Sequence, residues 1–354
     1  MNKQRLFLDI HAIQTLPPSN INRDDSGSPK TAQYGGVRRS RVSSQSWKRA
    51  MRQYFLENSD VTLGVRTKHI VEYVADEIRN LDTSVSLEKA MDLAEQTINN
   101  AGVKTDKKDR TAKALFFLGK KQAHELAEAA IRKESDKTKL KEILNGEPEI
   151  DIALFGRMVA DDPSLNEDAS AQVAHAISTH AVQTEFDYYT AIDDQNPTDQ
   201  AGAGMLGTIE YNSSTLYRYA NLAIHELLQQ FESKELAVNA AKLFVEAFSN
   251  SLPTGKINTF AHDTLPQAIM VNVRDDRPVS LVSAYEKPVV SRNGYVQESI
   301  DRMFKELNKT EKFVHKPLLT LYLTQDDIAD IAEAKEENSL IDLLTDLNQI
   351  VTFL

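Results

Sequence analysis

Between Gly35 and Arg52 the chain reads GGVRRSRVSSQSWKRAMR, with six cations (Arg38, Arg39, Arg41, Lys48, Arg49, Arg52) and no acid. The paired glycines admit positive φ and close approach of another molecule. Ser43 and Ser44 are N-cap residues by type, and a helix is predicted from there to about Asn58. At about 100° per residue, Gln45, Lys48, Arg49 and Arg52 share one arc, and Trp47, Ala50, Met51, Tyr54 and Phe55 the opposite one. Such a segment folds with its apolar arc docked on a core and its cations presented outward. The first-turn N–H groups, which have no intrahelical partners, add an anion site at the same end.

The whole chain carries a net charge of −11; with this +6 stretch set aside, the remainder carries −17. A basic island in an acidic protein points to a polyanionic partner. The competing reading is a solvated helix face, but such faces interleave Glu with Lys, as the rest of this chain does. The 354 residues predict two or three structural units with room for a sizeable core. There is no cysteine, so disulfides, thiolate metal sites and cysteine nucleophiles are excluded. The start, MNKQRLFLDIHAIQ, lacks an apolar signal-peptide core, and no run approaches the ~18 apolar residues of a membrane span. We expect a soluble cytoplasmic protein without membrane contact.

Leu6 to Ile13 alternates as a buried first strand, ended by Pro17-Pro18. A long loop, SNINRDDSGSPKTAQYGG, carries Arg23, Asp24, Asp25 and Lys30 ahead of the basic helix. Val65 to Gly146 is helical by periodicity, an insertion whose lysines are accompanied by acids. Asp151 to Val159 reads as strand and Ala169 to His180 as a short helix. VQTEFDYYTAID then alternates with period two, passes a tip at DQNPTDQAGAGM, and returns through LGTIEYNSSTLYRYANLAI as a long protruding hairpin. Tyr188 and Tyr189 fall on opposite faces of it, leaving either an exposed aromatic for base stacking or subunit docking, or a core tyrosine beside a surface one. Lys234 to Asn250 is an amphipathic helix. QAIMVNVRD and VSLVSAYEK are predicted to pair across a DDRP turn, followed by the helix YVQESIDRMFKEL, the strand LLTLYLT and an acidic helical end. The fold class is α+β, a small antiparallel sheet packed by helices with two insertions.

Catalytic signatures are sparse. The eight histidines form no metal-spaced cluster, and His175 and His180, five apart, fall on different faces of the expected helix as structural residues. No phosphate-binding glycine loop or nucleophile elbow is present. Asp24-Asp25, the one acidic pair next to the basic stretch, has the chemistry to hold Mg²⁺ at a bound phosphate, to cap a turn, or to pair with Arg23 or Arg38. No catalytic residue, metal site or cofactor is assigned.

The ordered set NRDD, YGGVRRSRVSSQSWKRAMR, DIALFGRM, AHAISTH, DYYTAIDD, TLYRYAN and MVNV resembles the backbone (CasC-type) subunit of the type I-E CRISPR surveillance complex, Cascade. The likeness extends from the first strand to about Leu307, and the GG-x-RR-x-R-x-SSQS-x-KRA-x-R block is long and specific. The resemblance implies a palm with a modified RNA-recognition (ferredoxin-like) fold, a helical fingers insertion and a β-hairpin thumb. The palm would comprise 1–64, 149–180 and 218–354 (the last with the C-terminal helices), the fingers 65–148 and the thumb 181–217. It further implies a head-to-tail filament along crRNA, presenting the guide to a target DNA strand for antiviral defence. Partners would be other copies of the chain, a crRNA-processing endonuclease, a 5′-handle-binding subunit, and large and small subunits.

On that pattern Lys48, Arg49 and Arg52, with Ser43, Ser44 and Gln45, grip guide phosphates. Arg23, Lys30, Arg38, Arg39 and Arg41 extend the groove, and Met158 with Tyr188, Tyr189 and Thr190 lies at a kinked base. Phosphate gripping of this kind is independent of sequence, as a carrier of variable spacers requires. No aromatic RNP signature appears, so such a palm need not stack bases on its sheet. The same family reading leaves Lys137, Lys139 and Lys141 of the insertion open as contacts to DNA. Two other readings remain: a metal-dependent ribonuclease of related architecture using Asp24 and Asp25, and a module docking its basic helix on an acidic protein.

Overall fold

The structure is a computed structural model and describes residues 5–106, 108–159, 161–191, 205–231, 233–325 and 334–353. Strands β1 (Phe7–Ser19), β2 (Thr31–Tyr34) and β3 (Val37–Val42) precede helix α1 (Ser44–Asn58). Next come β4 (Val65–Thr67), α2 (Ile70–Leu81), α3 (Leu87–Asn100), β5 (Phe116–Leu118), α4 (Lys120–Ile131), α5 (Lys137–Leu144) and α6 (Ile150–Phe155). They are followed by β6 (Ala171–Val173), β7 (Ala176–Ser178), β8 (Glu185–Ala191), β9 (Met205–Ala223), α7 (Ile224–Gln230) and α8 (Lys234–Asn250). The chain closes with α9 (Ile257–Phe260), β10 (Ala268–Arg274), α10 (Val296–Thr310), β11 (Leu319–Thr324), β12 (Lys335–Glu336) and α11 (Leu340–Asp346). The fold is mixed α+β, as its interleaved strand and helix patterns predict, and among the described residues no helix is long and apolar enough to cross a membrane.

The chain forms two compact units. One comprises Met1–Tyr54, Val173–Asn221 and Lys242–Leu354; the other comprises Phe55–Gln172 and Leu222–Ala241. The main sheet runs β12-β11-β10-β1-β9-β7-β3-β2, with β6 and β8 also paired to β9. β1 is central, antiparallel to β10 from Phe7 opposite Arg274 to Ile13 opposite Ala268. Covered on both sides, it reads as the near-continuous apolar run LFLDIHAI. One sheet face packs Ile13, Tyr217, Met270 and Tyr322 under Leu281, Tyr285, Met303 and Phe304. In the second unit α2, α3 and α4 bury Val74, Ile78, Ala94 and Leu126 around one core, and Arg157 is buried donating to the carbonyls of Leu144 and Leu165.

Several local expectations are corrected. Pro17-Pro18 do not end β1, which continues to Ser19: its register with β10 stops at Ile13, and beyond it proline's fixed φ is compatible with extended backbone. Residues 150–155 are helix rather than strand; Ile152, Ala153 and Leu154 are all buried, and a short, wholly buried helix has no periodicity to distinguish it. Gly156, at φ 76°, stops it. Residues 169–180 hold β6 and β7 rather than a helix, because pairing to β9 and β3 overrides local preference. VSLVSAYEK does not pair with β10, whose two edges are taken by β1 and β11; Val282–Tyr285 instead makes a 3₁₀ turn. Of the tip expected at 194–205 in the long hairpin, residues 194–204 lie outside the described residues.

Candidate nucleic-acid interface

The first half of the basic stretch is a strand rather than a loop. β2 and β3 form a hairpin whose two-residue turn is Gly35-Gly36, at φ 58° and 78°, the positive pair that tight hairpin turns require. A Cβ on Gly35 would lie 1.6 Å from the Glu286 carbonyl oxygen, so close backbone approach also demands glycine there. The Ser43 carbonyl accepts from Ser46 N–H and Trp47 N–H (3.0 and 3.2 Å), opening α1, and Ser43 N–H donates to Asn22 Oδ1 at 2.8 Å.

The split of α1 into two arcs is realised. Trp47, Met51 and Phe55 are buried, Gln45 and Arg49 exposed, and Lys48 and Arg52 half-buried. Beneath the helix, Arg218 of β9 lies 3.7 Å from the Trp47 ring centre and 4.3 Å from that of Phe248. Its guanidinium donates to Gln14 Oε1 and the Phe248 carbonyl, and burial pushes its pKa down to about 9. A cation sandwiched between aromatic faces fixes where α1 sits.

The structure separates the expected groove residues. Arg38 and Arg49 are exposed and make no ion pair among the described residues, and residues 26–56 contain no acid at all. Arg39 is different: it is fully buried, with Nε donating to the Tyr34 carbonyl, Nη1 to Ser178 and Nη2 to Tyr285. A guanidinium with no exposed surface presents nothing to a phosphate, and its place is as a tie between the hairpin and the 3₁₀ turn. Ser43 is also buried, Ser44 half-buried. Arg23 is exposed in the loop before β2, and Lys30 half-buried at its end.

Asp24 Oδ1 accepts from Ser26 N–H, Ser26 Oγ–H and Ser28 N–H, the turn-capping alternative of the sequence. These bonds, the Ser26 hydroxyl foremost, hold its carboxyl below the usual range. Among the described residues no group of three or more His, Cys, Asp or Glu has the arrangement to hold a metal ion.

On the β8–β9 hairpin, Phe186 and Tyr188 are 66% and 65% exposed, while Tyr189 is half-buried, its ring lying over Gly207 directly across the ladder. Thr190 is exposed. Met158, in the second unit, is 82% exposed.

Three residues escaped the sequence reading. His175, expected on a helix as structural, lies exposed just before β7, with Nδ1 3.1 Å from Arg41 Nη1. Asn22 holds Ser43, and Asn212 of β9 accepts from Ser40 Oγ at 3.2 Å. They meet Arg41, Ser43 and Ser40 through the tertiary fold, which leaves no mark at fixed sequence spacing. His180 is structural, buried and stacked on Tyr295 with ring centres 3.7 Å apart.

With this fold and site in view, the chain belongs to the CT1975-like protein family, whose pattern it matches over residues 8–347. Two solved structures are similar to it. A chain of a "CRISPR RNA-guided surveillance complex, pre-nicking" superposes with a TM-score of 0.85 at 32% identity, over 98% of this chain and 99% of that one. A chain of a second "CRISPR RNA-guided surveillance complex" gives 0.76 at 28%, over 98% and 100%. No curated protein matches.

Proposed function

We propose that this chain is a guide-RNA-binding backbone subunit of a type I Cascade, of the I-E subtype, that assembles head to tail along crRNA and presents it to target DNA. The observation that carries this reading is the ridge of β3 and α1, a stretch whose sequence holds no acid, where Arg38 on the strand and Arg49 on the helix are exposed without an ion pair among the described residues, and Lys48 and Arg52 lie half-buried on the same helix arc. Cations without competing acids bind phosphates irrespective of base, the property a carrier of variable guides needs.

The sheet order supports an RNA-recognition-like palm. In chain order β1, α1, β7, β9, α8 and β10 follow a βαββαβ scheme, with β1 between β10 and β9. The face that would stack bases in such a fold is covered by Leu281, Tyr285 and α10, consistent with the missing aromatic signature. Phe186 and Tyr188 on the β8–β9 hairpin suit the thumb, Met158 the kinked base, and α2–α5 the fingers. The solved relatives belong to RNA-guided complexes, and this chain's partners are read accordingly: crRNA, further copies of itself, and the remaining Cascade subunits. We read this chain as a scaffolding rather than a catalytic subunit.

The test is coexpression with the neighbouring subunits, followed by analysis of the copurifying material. RNA of one defined length is expected. A purified assembly with no nucleic acid absorbance at 260 nm overturns the reading, and cleavage of complementary RNA with Mg²⁺ would replace it with the ribonuclease one.

A further inference from the structure

Beside the ridge lies a small crevice whose lining includes Lys30, Arg41 and the buried Asn212, with room of about 10 Å³. That is space for a single water-sized atom. None of its lining residues is acidic, and Leu16, Ile21 and Val42 make part of the wall apolar. Asn212 is 5% exposed, and its Nδ2 finds no acceptor among the described residues, although its Oδ1 bonds Ser40. A buried amide donor left unpaired is destabilising and calls for an acceptor.

The rim is also preset. Arg41 donates through Nε to the Thr31 carbonyl at 3.2 Å and through Nη1 to His175 Nδ1 at 3.1 Å. Because arginine only donates, Nδ1 is the acceptor and the imidazole proton sits on Nε2. The charged groups facing His175 are Arg41 on β3 and Lys30 ahead of β2, both cations; burial first, then these two, lower its pKa.

We propose that this crevice seats one non-bridging phosphate oxygen of the bound strand, with Asn212 Nδ2, Lys30 and Arg41 as donors and His175 Nε2–H at the rim. The inference rests on the RNA-binding reading above and extends it to two residues, Asn212 and His175, that no motif indicates. Its donors are those of a phosphodiester site: one neutral amide and two cations, in a partly apolar setting that strengthens each bond. An arriving phosphate offsets the field of Arg41 and Lys30 and so raises the His175 pKa. Binding then takes up a proton on Nδ1, with Arg41 Nη1 turning from that nitrogen to the phosphate: affinity is greatest below the free-state pKa of His175 and the gain is lost as pH rises through the bound-state one.

The experiment uses the full chain and fluorescein-labelled oligouridylate, with anisotropy at pH 8 and pH 6. Asn212→Asp, which places a carboxylate in the lining without changing its shape, is expected to weaken binding about tenfold at pH 8 with the melting temperature unchanged. His175→Gln is expected to abolish a strengthening of roughly threefold between pH 8 and pH 6. If both variants bind like the unsubstituted chain while Arg38→Ala with Arg49→Ala weakens binding, the crevice proposal is overturned and the ridge stands. If that double variant also binds normally, the RNA reading itself fails. Should Asn212→Asp misfold, the side-chain amide resonances of Asn212 in the unsubstituted protein decide: they are expected to shift on adding oligouridylate. No shift, or a shift with inorganic phosphate alone, overturns the proposal.

Discussion

Two cationic stretches of this chain, the ridge at 38–52 and the helix α5 with its lysines at 137, 139 and 141, have a similar density of cations and opposite surroundings. In α5, Lys139 Nζ lies 3.4 Å from Glu134 and Lys141 Nζ 2.5 Å from Asp162, with Ser164 Oγ also in reach. On the ridge, Arg38 and Arg49 have no ion-pair partner among the described residues. An anion approaching α5 must compete with carboxylates already in place; one approaching Arg38 or Arg49 displaces only water and counterions. Charge density alone therefore does not locate a polyanion site. The pattern of pairing does.

The largest expected effect tests what holds the ridge in place. Trp47→Ala removes the aromatic face over Arg218 and should cost about 3–5 kcal/mol in urea unfolding, the range for a buried aromatic. A loss under 1 kcal/mol would mean that α1 is not anchored there. Next in size is the contrast within β3. Arg39→Ala leaves several buried carbonyls without donors and is expected to cost about 3 kcal/mol, whereas Arg38→Ala should leave stability within about 0.5 kcal/mol and weaken RNA binding. Equal stability losses would erase the distinction between the tie and the groove.

The comparison itself is tested by paired double variants. Arg38→Ala with Arg49→Ala should weaken binding to every spacer sequence alike and lower the salt slope by roughly one to two. Lys139→Ala with Lys141→Ala should leave guide binding within about twofold. Equal losses from both would break the argument from pairing. The smallest effect is local. Asp162, held by Lys141 first and then Ser164, has its pKa pulled down to about 2. A carboxyl lowered in the folded state adds stability above its unfolded value that is lost as pH falls through the folded one, here between about pH 4 and 2. Lys141→Ala should return Asp162 toward an ordinary aspartate in a carboxyl NMR titration; an unmoved value would mean that Ser164 alone sets it.

Much of this was legible in the residues. The two arcs of α1 appear as predicted because helix periodicity assigns each side chain a direction before any core exists, and Trp47, Met51 and Phe55 could only face inward. The amphipathic α8 and α10, and the strand β11, follow in the same way. What failed were short segments. Residues 150–155 and 169–180 are too brief to show a period, and pairing decided them. The segment at 282–285 turned because β10 had no edge to offer. In the candidate site, Arg38, Arg39 and Arg41 are indistinguishable as letters; only the path of the 3₁₀ turn over the sheet places Arg39 inside.

By itself, then, the sequence determined the segregation of charge: an acid-free cationic segment in a chain of net −11, with a helix whose apolar side demands a core. Tertiary structure decided which of those cations face solvent, and brought His175 and Asn212 from distant strands to Arg41. The physical reason is one of range. Periodicity and charge are local properties, fixed within a few residues, whereas burial and strand pairing depend on partners more than a hundred positions away.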